Sequence, residues 1–216
     1  MRHTLGDGII DNCVDNLSVS KGHQQEQTDM SPQATSKERA PKILHTHHSA
    51  YRCFDAEETR RFWEGIMGME LAAALSFDKI SGTDEKLDYM HLFFKMGDGN
   101  FVAFFDLPDH MRPELFKIRS GFVRHIAFEV ATEAELETFA KRWRDAGLEV
   151  TSDLDHSFVR SVYTYDPNGI QVEILWKEPK YGEILAGAKG DVERSMKAWN
   201  EKTKARKDAY RKAHAA

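Results

Sequence analysis

His48-Ser-Ala-Tyr-Arg-Cys-Phe-Asp55 and His125-Ile-Ala-Phe-Glu-Val-Ala-Thr132 are the two stretches on which the fold turns. Each opens on a histidine and continues as a strand. Seven positions later each reaches a side chain, Asp55 or Thr132, able to accept an orphan backbone N–H at a helix N-terminus. Glu58 and Glu135 stand three residues further on, the spacing of a capping box. An apolar helical period follows in both, through Phe62, Trp63, Ile66 and Met67 in the first copy and Leu136, Phe139 and Trp143 in the second. Gly68-Met-Glu-Leu and Gly147-Leu-Glu-Val close the helices with a residue free to take a positive φ. Strand-like segments come next at 87–95 and 100–106, and again at 158–165 and 169–176. The pattern predicts two copies of one βαβββ module.

Around this body, residues 43–178 with modules at about 43–107 and 121–177, the composition changes. Residues 1–42 are rich in Ser, Gln, Asp and Thr without a sustained apolar period, and read as a disordered or loosely docked arm. Residues 179–216 read as a charged helical tail, with eight Lys/Arg against four Asp/Glu from 191 onward. It is either a solvated helix or an arm that packs on a partner subunit through Val192, Met196 and Trp199. At 216 residues, 41% hydrophobic and a net charge of −5, the chain is expected to be a soluble globular protein with neither nucleic acid nor membrane as partner. No run approaches the roughly 18 apolar residues of a membrane span, and the first thirty residues lack the apolar core of a secretory signal. Cys13 and Cys53 are too few for a disulfide framework, which points to the cytoplasm, and Cys53 has the strand parity of a core residue.

The duplication resembles the vicinal oxygen chelate superfamily, which includes glyoxalase I, fosfomycin-resistance proteins, bleomycin-binding proteins and type I extradiol ring-cleaving dioxygenases. The resemblance covers about residues 43–177. It implies an α+β fold in which two βαβββ modules form an open, cup-shaped β-barrel around a divalent metal. His48 and His125 open the first strand of each copy, and Glu173 lies in the last strand of the second, within Gly169-Ile-Gln-Val-Glu-Ile. Two imidazoles and one carboxylate on one face are the ligand set of non-haem Fe(II) oxygenases. Glu173 among Val172, Ile174 and Leu175 would be an expensive charge without a cation. Superposing the last strands of the two copies places Ala103 where Glu173 stands, so a four-ligand site fits poorly.

Upstream of Glu173, His156, Val162-Tyr163 and Asp166-Pro167-Asn168-Gly169 are spaced like the signature of extradiol dioxygenases, with Leu154 a mild departure. The Asp-Pro-Asn-Gly stretch is a tight turn common to the superfamily, so the discriminating residues are His156 and Tyr163. Without the resemblance, His156 reads as a solvated loop residue and Tyr163 as a rim aromatic. The resemblance implies ring cleavage of a catechol-type diol by O₂ on Fe(II), with Mn(II) as the second choice. In that scheme His156 acts as acid or base and Tyr163 donates a hydrogen bond to substrate. A further family histidine, expected near Asn100 to Phe105, is missing, and His91 and His110 only flank that region. Phe101 and Phe158 are expected to line the substrate space. Arg52 and Glu129 share strand parity with His48 and His125, and either contact a polar substituent or pair with each other. The alternatives are a three-ligand Mn(II) or Zn(II) transferase, isomerase or epoxide-opening enzyme, and a drug-binding protein without catalysis. The expected partners are a small aromatic diol, O₂ and further copies of the chain in a homo-oligomer.

Overall fold

The computed structural model describes residues 40–110, 112–116, 118–151 and 153–214. Apart from residues 40–42, the arm expected at the N-terminus lies outside the described residues. The chain divides into compact units at Leu44–His45. Of the first, residues 40–44 are described and carry no helix or strand.

The second unit is built from two like modules. In the first, β1 (His48–Cys53) leads into α1 (Ala56–Arg60), which runs on as a π-helical turn over Arg61–Ile66 and is followed by β2 (Glu70–Lys79), β3 (Lys86–Lys95) and β4 (Phe101–Asp106). After a short α2 (Pro113–Phe116), the second module repeats the order as β5 (His125–Val130), α3 (Glu133–Asp145), β6 (Leu154–Asp155), β7 (Val159–Tyr165) and β8 (Gln171–Lys177). Each forms a four-stranded sheet, in the orders β1-β4-β3-β2 and β5-β8-β7-β6, with the first strand parallel to the last. The fold is thus α+β, two repeated modules with two separate sheets and no closed barrel. Register matches position for position: Phe93 pairs with Ala103 as Tyr163 pairs with Glu173, and Ala50 pairs with Ala103 as Ala127 pairs with Glu173.

The helix ends follow local chemistry. Thr132 and Glu135 form both halves of a capping box. At Asp55 only the first half is made, the carboxylate accepting from the Glu58 N–H at 2.6 Å; the next N–H along, that of Ala56, donates to Asp106 of β4 at 2.9 Å. Gly68 and Gly147 take φ values of 78° and 77° where the helices stop.

Alternating strand residues point to opposite faces of a sheet. One face of each sheet packs under its helix, and the two helix-side cores merge: Trp63, Phe94, Phe104, Leu136, Trp143, Val172 and Ile174 are all buried, as is Cys53. Trp63 touches Phe128 of the other module edge-on at 5.9 Å and donates from Nε1 to Asp166 at 3.3 Å. The Asp166–Gly169 turn completes the join. Asn168 accepts from the Phe54 N–H at 2.9 Å and donates to Thr59 Oγ1 at 3.2 Å and to Asp166 at 3.0 Å. Beyond β8 come α4 (Tyr181–Gly190) and α5 (Val192–Ala213), whose Val192, Met196 and Trp199 are exposed. No helix among the described residues is long and apolar enough to cross a membrane.

Candidate metal centre

Four of the expected site residues come together on the outer face of the second sheet. His125 is the first residue of β5, Glu173 lies on β8, and Tyr163 is its cross-strand neighbour on β7. His125 Nδ1 lies 2.9 Å from the Phe122 carbonyl oxygen, which can only accept, so Nδ1 carries the ring proton. Nε2 is then turned toward Glu173 Oε2, 2.9 Å away. A lone pair and a carboxylate oxygen repel at this separation unless a cation joins them, a second ring proton or a metal ion. Ligands about 2.1 Å from one ion and roughly at right angles are separated by about 3 Å, so the pair fits a metal's donor set. Glu173 is only 5% exposed, which leaves its charge little help from water.

The other Glu173 oxygen accepts from the Tyr163 hydroxyl at 2.8 Å. Burial, and then this hydrogen bond, push the Tyr163 hydroxyl up to about 12, so it is a donor near neutral pH. With its proton given to Glu173, the phenol oxygen accepts from His156 Nε2 at 3.2 Å. His156 owes its place to the hairpin between β6 and β7. Its N–H donates to the Val159 carbonyl, the Ser157 N–H donates to Asp155, and Ser157 sits at φ 72°, in the left-handed region. Asp155 and Ser157 escaped the sequence reading; the Asp-x-Ser spacing of a side chain bonding two residues on was the available signal.

His48 does not join this cluster within one chain. Its Nδ1 lies 2.8 Å from His47 Nδ1, and its ring lies near Phe93 and His91, at 5.7 and 6.1 Å. Among the described residues no group of three His, Cys, Asp or Glu is placed to hold an ion. The reason is the packing of the modules. They meet through their helix sides, so the face bearing His48 and the face bearing Glu173 both turn away from the shared core. Ala103, buried, stands at the position equivalent to Glu173, so the first sheet offers no second carboxylate there.

The His48 face is aromatic instead. His91 stacks on Phe105 with centroids 3.8 Å apart, Phe93 lies 4.1 Å from His91, and Phe101 meets Phe93 at 5.8 Å. Burial, and then the neighbouring His48, lower the His91 pKa from its ordinary value. Phe101 and Arg52 lie on this same face, in register with His48 and Phe105. Phe158 is elsewhere, its ring 6.1 Å from Tyr181 at the start of α4. Glu129 pairs with Lys177 at 2.5 Å.

The chain is similar to several proteins of known structure. The glyoxylase/bleomycin resistance protein/dioxygenase domain from Frankia sp. EAN1pec is 17% identical, with a TM-score of 0.52 over 63% of this chain and 100% of that one. The fosfomycin resistance protein FosX from Mesorhizobium loti is 24% identical, with a TM-score of 0.47 over 67% and 99%. FosX from Listeria monocytogenes, complexed with Mn(II) and sulfate, is 18% identical, with a TM-score of 0.48 over 65% and 98%. No curated protein matches the chain. Over residues 45–174, more than half its length, the chain matches the family model, and it belongs to the Glyoxalase/Bleomycin resistance protein/Dioxygenase superfamily.

Proposed function

We propose that this protein is an Fe(II)-dependent extradiol dioxygenase that opens the ring of a catechol-type substrate with O₂, Mn(II) being the second choice of metal. The observation that supports this reading is the unbroken chain His156–Tyr163–Glu173–His125, which sets two proton-bearing side chains beside an imidazole–carboxylate pair. His125 and Glu173 would hold the ion. His48 would be the third ligand, supplied by a second copy of the chain in a homo-oligomer, because one chain turns its two sheet faces apart. Facing modules from two copies would also cover Leu75, Phe77 and Leu154, apolar residues left exposed on these faces.

When bound, the metal supplies Lewis acidity and a path for electrons between diol and O₂. The remaining work falls to side chains. The Tyr163 hydroxyl stays protonated and can turn its donor from Glu173 to a substrate oxygen. His156 Nε2–H, at the rim, is placed to deliver a proton toward that oxygen through Tyr163 and to recover one afterwards. Phe93, Phe101 and Phe105 offer flat apolar surface to the ring, and Arg52 a positive charge beside it. Both oxygen atoms end in the ring-opened product.

The test is O₂ uptake and yellow product from a panel of catechols, using protein purified anaerobically and loaded with Fe(II). His125→Ala is expected to lose iron, and His156→Ala to keep iron and lose turnover. Chains carrying His48→Ala, refolded together with chains carrying Glu173→Gln, are expected to recover about a quarter of the wild-type sites, since one site of each mixed dimer is intact. Absence of recovery refutes the shared site. Iron-loaded protein that consumes no O₂ with any catechol, while opening an epoxide or transferring a thiol, refutes the dioxygenase in favour of an O₂-independent enzyme of the same family.

A further inference from the structure

A neutral histidine carries a lone pair on one ring nitrogen and a proton on the other, so the group that accepts that proton decides which nitrogen can hold a metal. His48 and His125 occupy the same position of the two modules, each opening the strand that runs parallel to the last. At His125 the acceptor belongs to the main chain, the Phe122 carbonyl 2.9 Å from Nδ1. At His48 it is a side chain, with Nδ1 lying 2.8 Å from Nδ1 of His47. Both histidines are thus engaged at Nδ1, through unrelated groups.

His47 is itself held in place. Its carbonyl accepts from the Phe101 N–H at 3.0 Å, and its ring lies 5.7 Å from the Phe101 ring. The rings of His47 and His48 meet edge to face at 82°, with centroids 5.0 Å apart, and Phe93 stands edge-on to His48 at 5.7 Å. Two Nδ1 atoms this close share one proton, and its direction matters. If His47 donates, His48 accepts at Nδ1 and carries its own proton on Nε2, which leaves no lone pair for an ion. If His48 donates, the lone pair stands on Nε2.

Resting on the shared metal site proposed above, we propose that His47 is a positioning residue. It accepts the Nδ1 proton of His48, and so fixes the ring orientation and the tautomer in which His48 Nε2 serves the facing copy. It does for His48 what the Phe122 carbonyl does for His125. A carbonyl always accepts, whereas an imidazole accepts at Nδ1 in one of its two tautomers only, so His48 is the less firmly set of the two histidines.

The experiment measures Fe(II) affinity anaerobically, by competition against a coloured chelator. Removing the outer partner of a ligating histidine costs about 10–100-fold in metal affinity. Both rings are exposed here and water can stand in for His47, so His47→Phe, which keeps a ring against Phe101, is expected to lose about 10-fold. His47→Asn, whose amide oxygen can replace Nδ1 as acceptor, is expected to return to within about threefold of wild type. Chains carrying His47→Phe, refolded with chains carrying Glu173→Gln, are expected to show tight binding at about a quarter of the wild-type sites, because the intact site takes His47 and His48 from the Glu173→Gln chain. If His48→Ala weakens binding and His47→Phe does not, the proposal is overturned and the shared site stands. The same holds if His47→Phe and His47→Asn lose equally, or if their mixture lacks tight sites where the His48→Ala mixture recovers them, since both mark a merely structural role. Unchanged affinity in His48→Ala overturns the shared site itself, and the proposal with it.

Discussion

Removing the Asn168 side chain should loosen the join between the modules by an amount that can be worked out bond by bond. Its amide accepts from the Phe54 N–H at 2.9 Å and donates to Thr59 Oγ1 at 3.2 Å and Asp166 Oδ2 at 3.0 Å, and the residue is 7% exposed. A net hydrogen bond contributes about 1 kcal/mol, and leaving a shielded N–H such as that of Phe54 unpaired adds about 1 kcal/mol more. Asn168→Ala should therefore destabilise the protein by about 4 kcal/mol, which for a domain of this size lowers the melting temperature by roughly 10 °C. Urea unfolding followed by circular dichroism measures the difference directly. A loss under about 1 kcal/mol would show that the modules are held by apolar packing around Trp63 alone, and that the polar latch contributes nothing.

Asp166 gives a pH test of the same latch. Burial is the largest cause and pushes its carboxyl up to about 6 from 3.8, against the pull of its hydrogen bonds to Ile170, Asn168 and Trp63. A raised carboxyl favours the neutral form in the fold, so its penalty is full above pH 6 and relieved as pH falls toward the unfolded value. The stability of wild type relative to Asp166→Asn should accordingly rise by about 1 kcal/mol between pH 7 and pH 5, and a flat difference would contradict the assignment. A paired substitution tests the repeat. Gly169 and Gly99 share a positive φ of 78° and 84°, but a Cβ on Gly169 would meet Ile118 O at 2.7 Å and Phe116 O at 2.9 Å, and on Gly99 would meet nothing. Gly99→Ala should cost about 1 kcal/mol in unfolding experiments, and Gly169→Ala at least twice that, because main-chain atoms must move as well.

Much of the site was legible in linear order because strands and caps are local devices. His48 and His125 could be matched through their distance to Asp55 and Thr132, and Ala103 could be set on Glu173 through the glycines that precede them. Register bears out the Ala103–Glu173 equivalence. What local spacing could not supply was the choice between bonding partners of equal chemistry. The Glu135 side chain returns to its cap and Glu58 does not, with Asp106 of a distant strand taking the neighbouring N–H. Phe158 turns to Tyr181, a residue whose helix begins more than twenty positions later.

The sequence by itself determined that there are two modules, which residues alternate to which face of each strand, and that one sheet carries a glutamate where the other carries an alanine. These follow from periodicity, capping and turn chemistry acting over a few residues. Only the tertiary structure decided that the modules join helix side to helix side, through Trp63, Asn168 and Asp166. That choice rests on burying two aromatic cores at once, a non-local free energy that no short stretch encodes. It is also what separates His48 from His125 and Glu173 in the single chain.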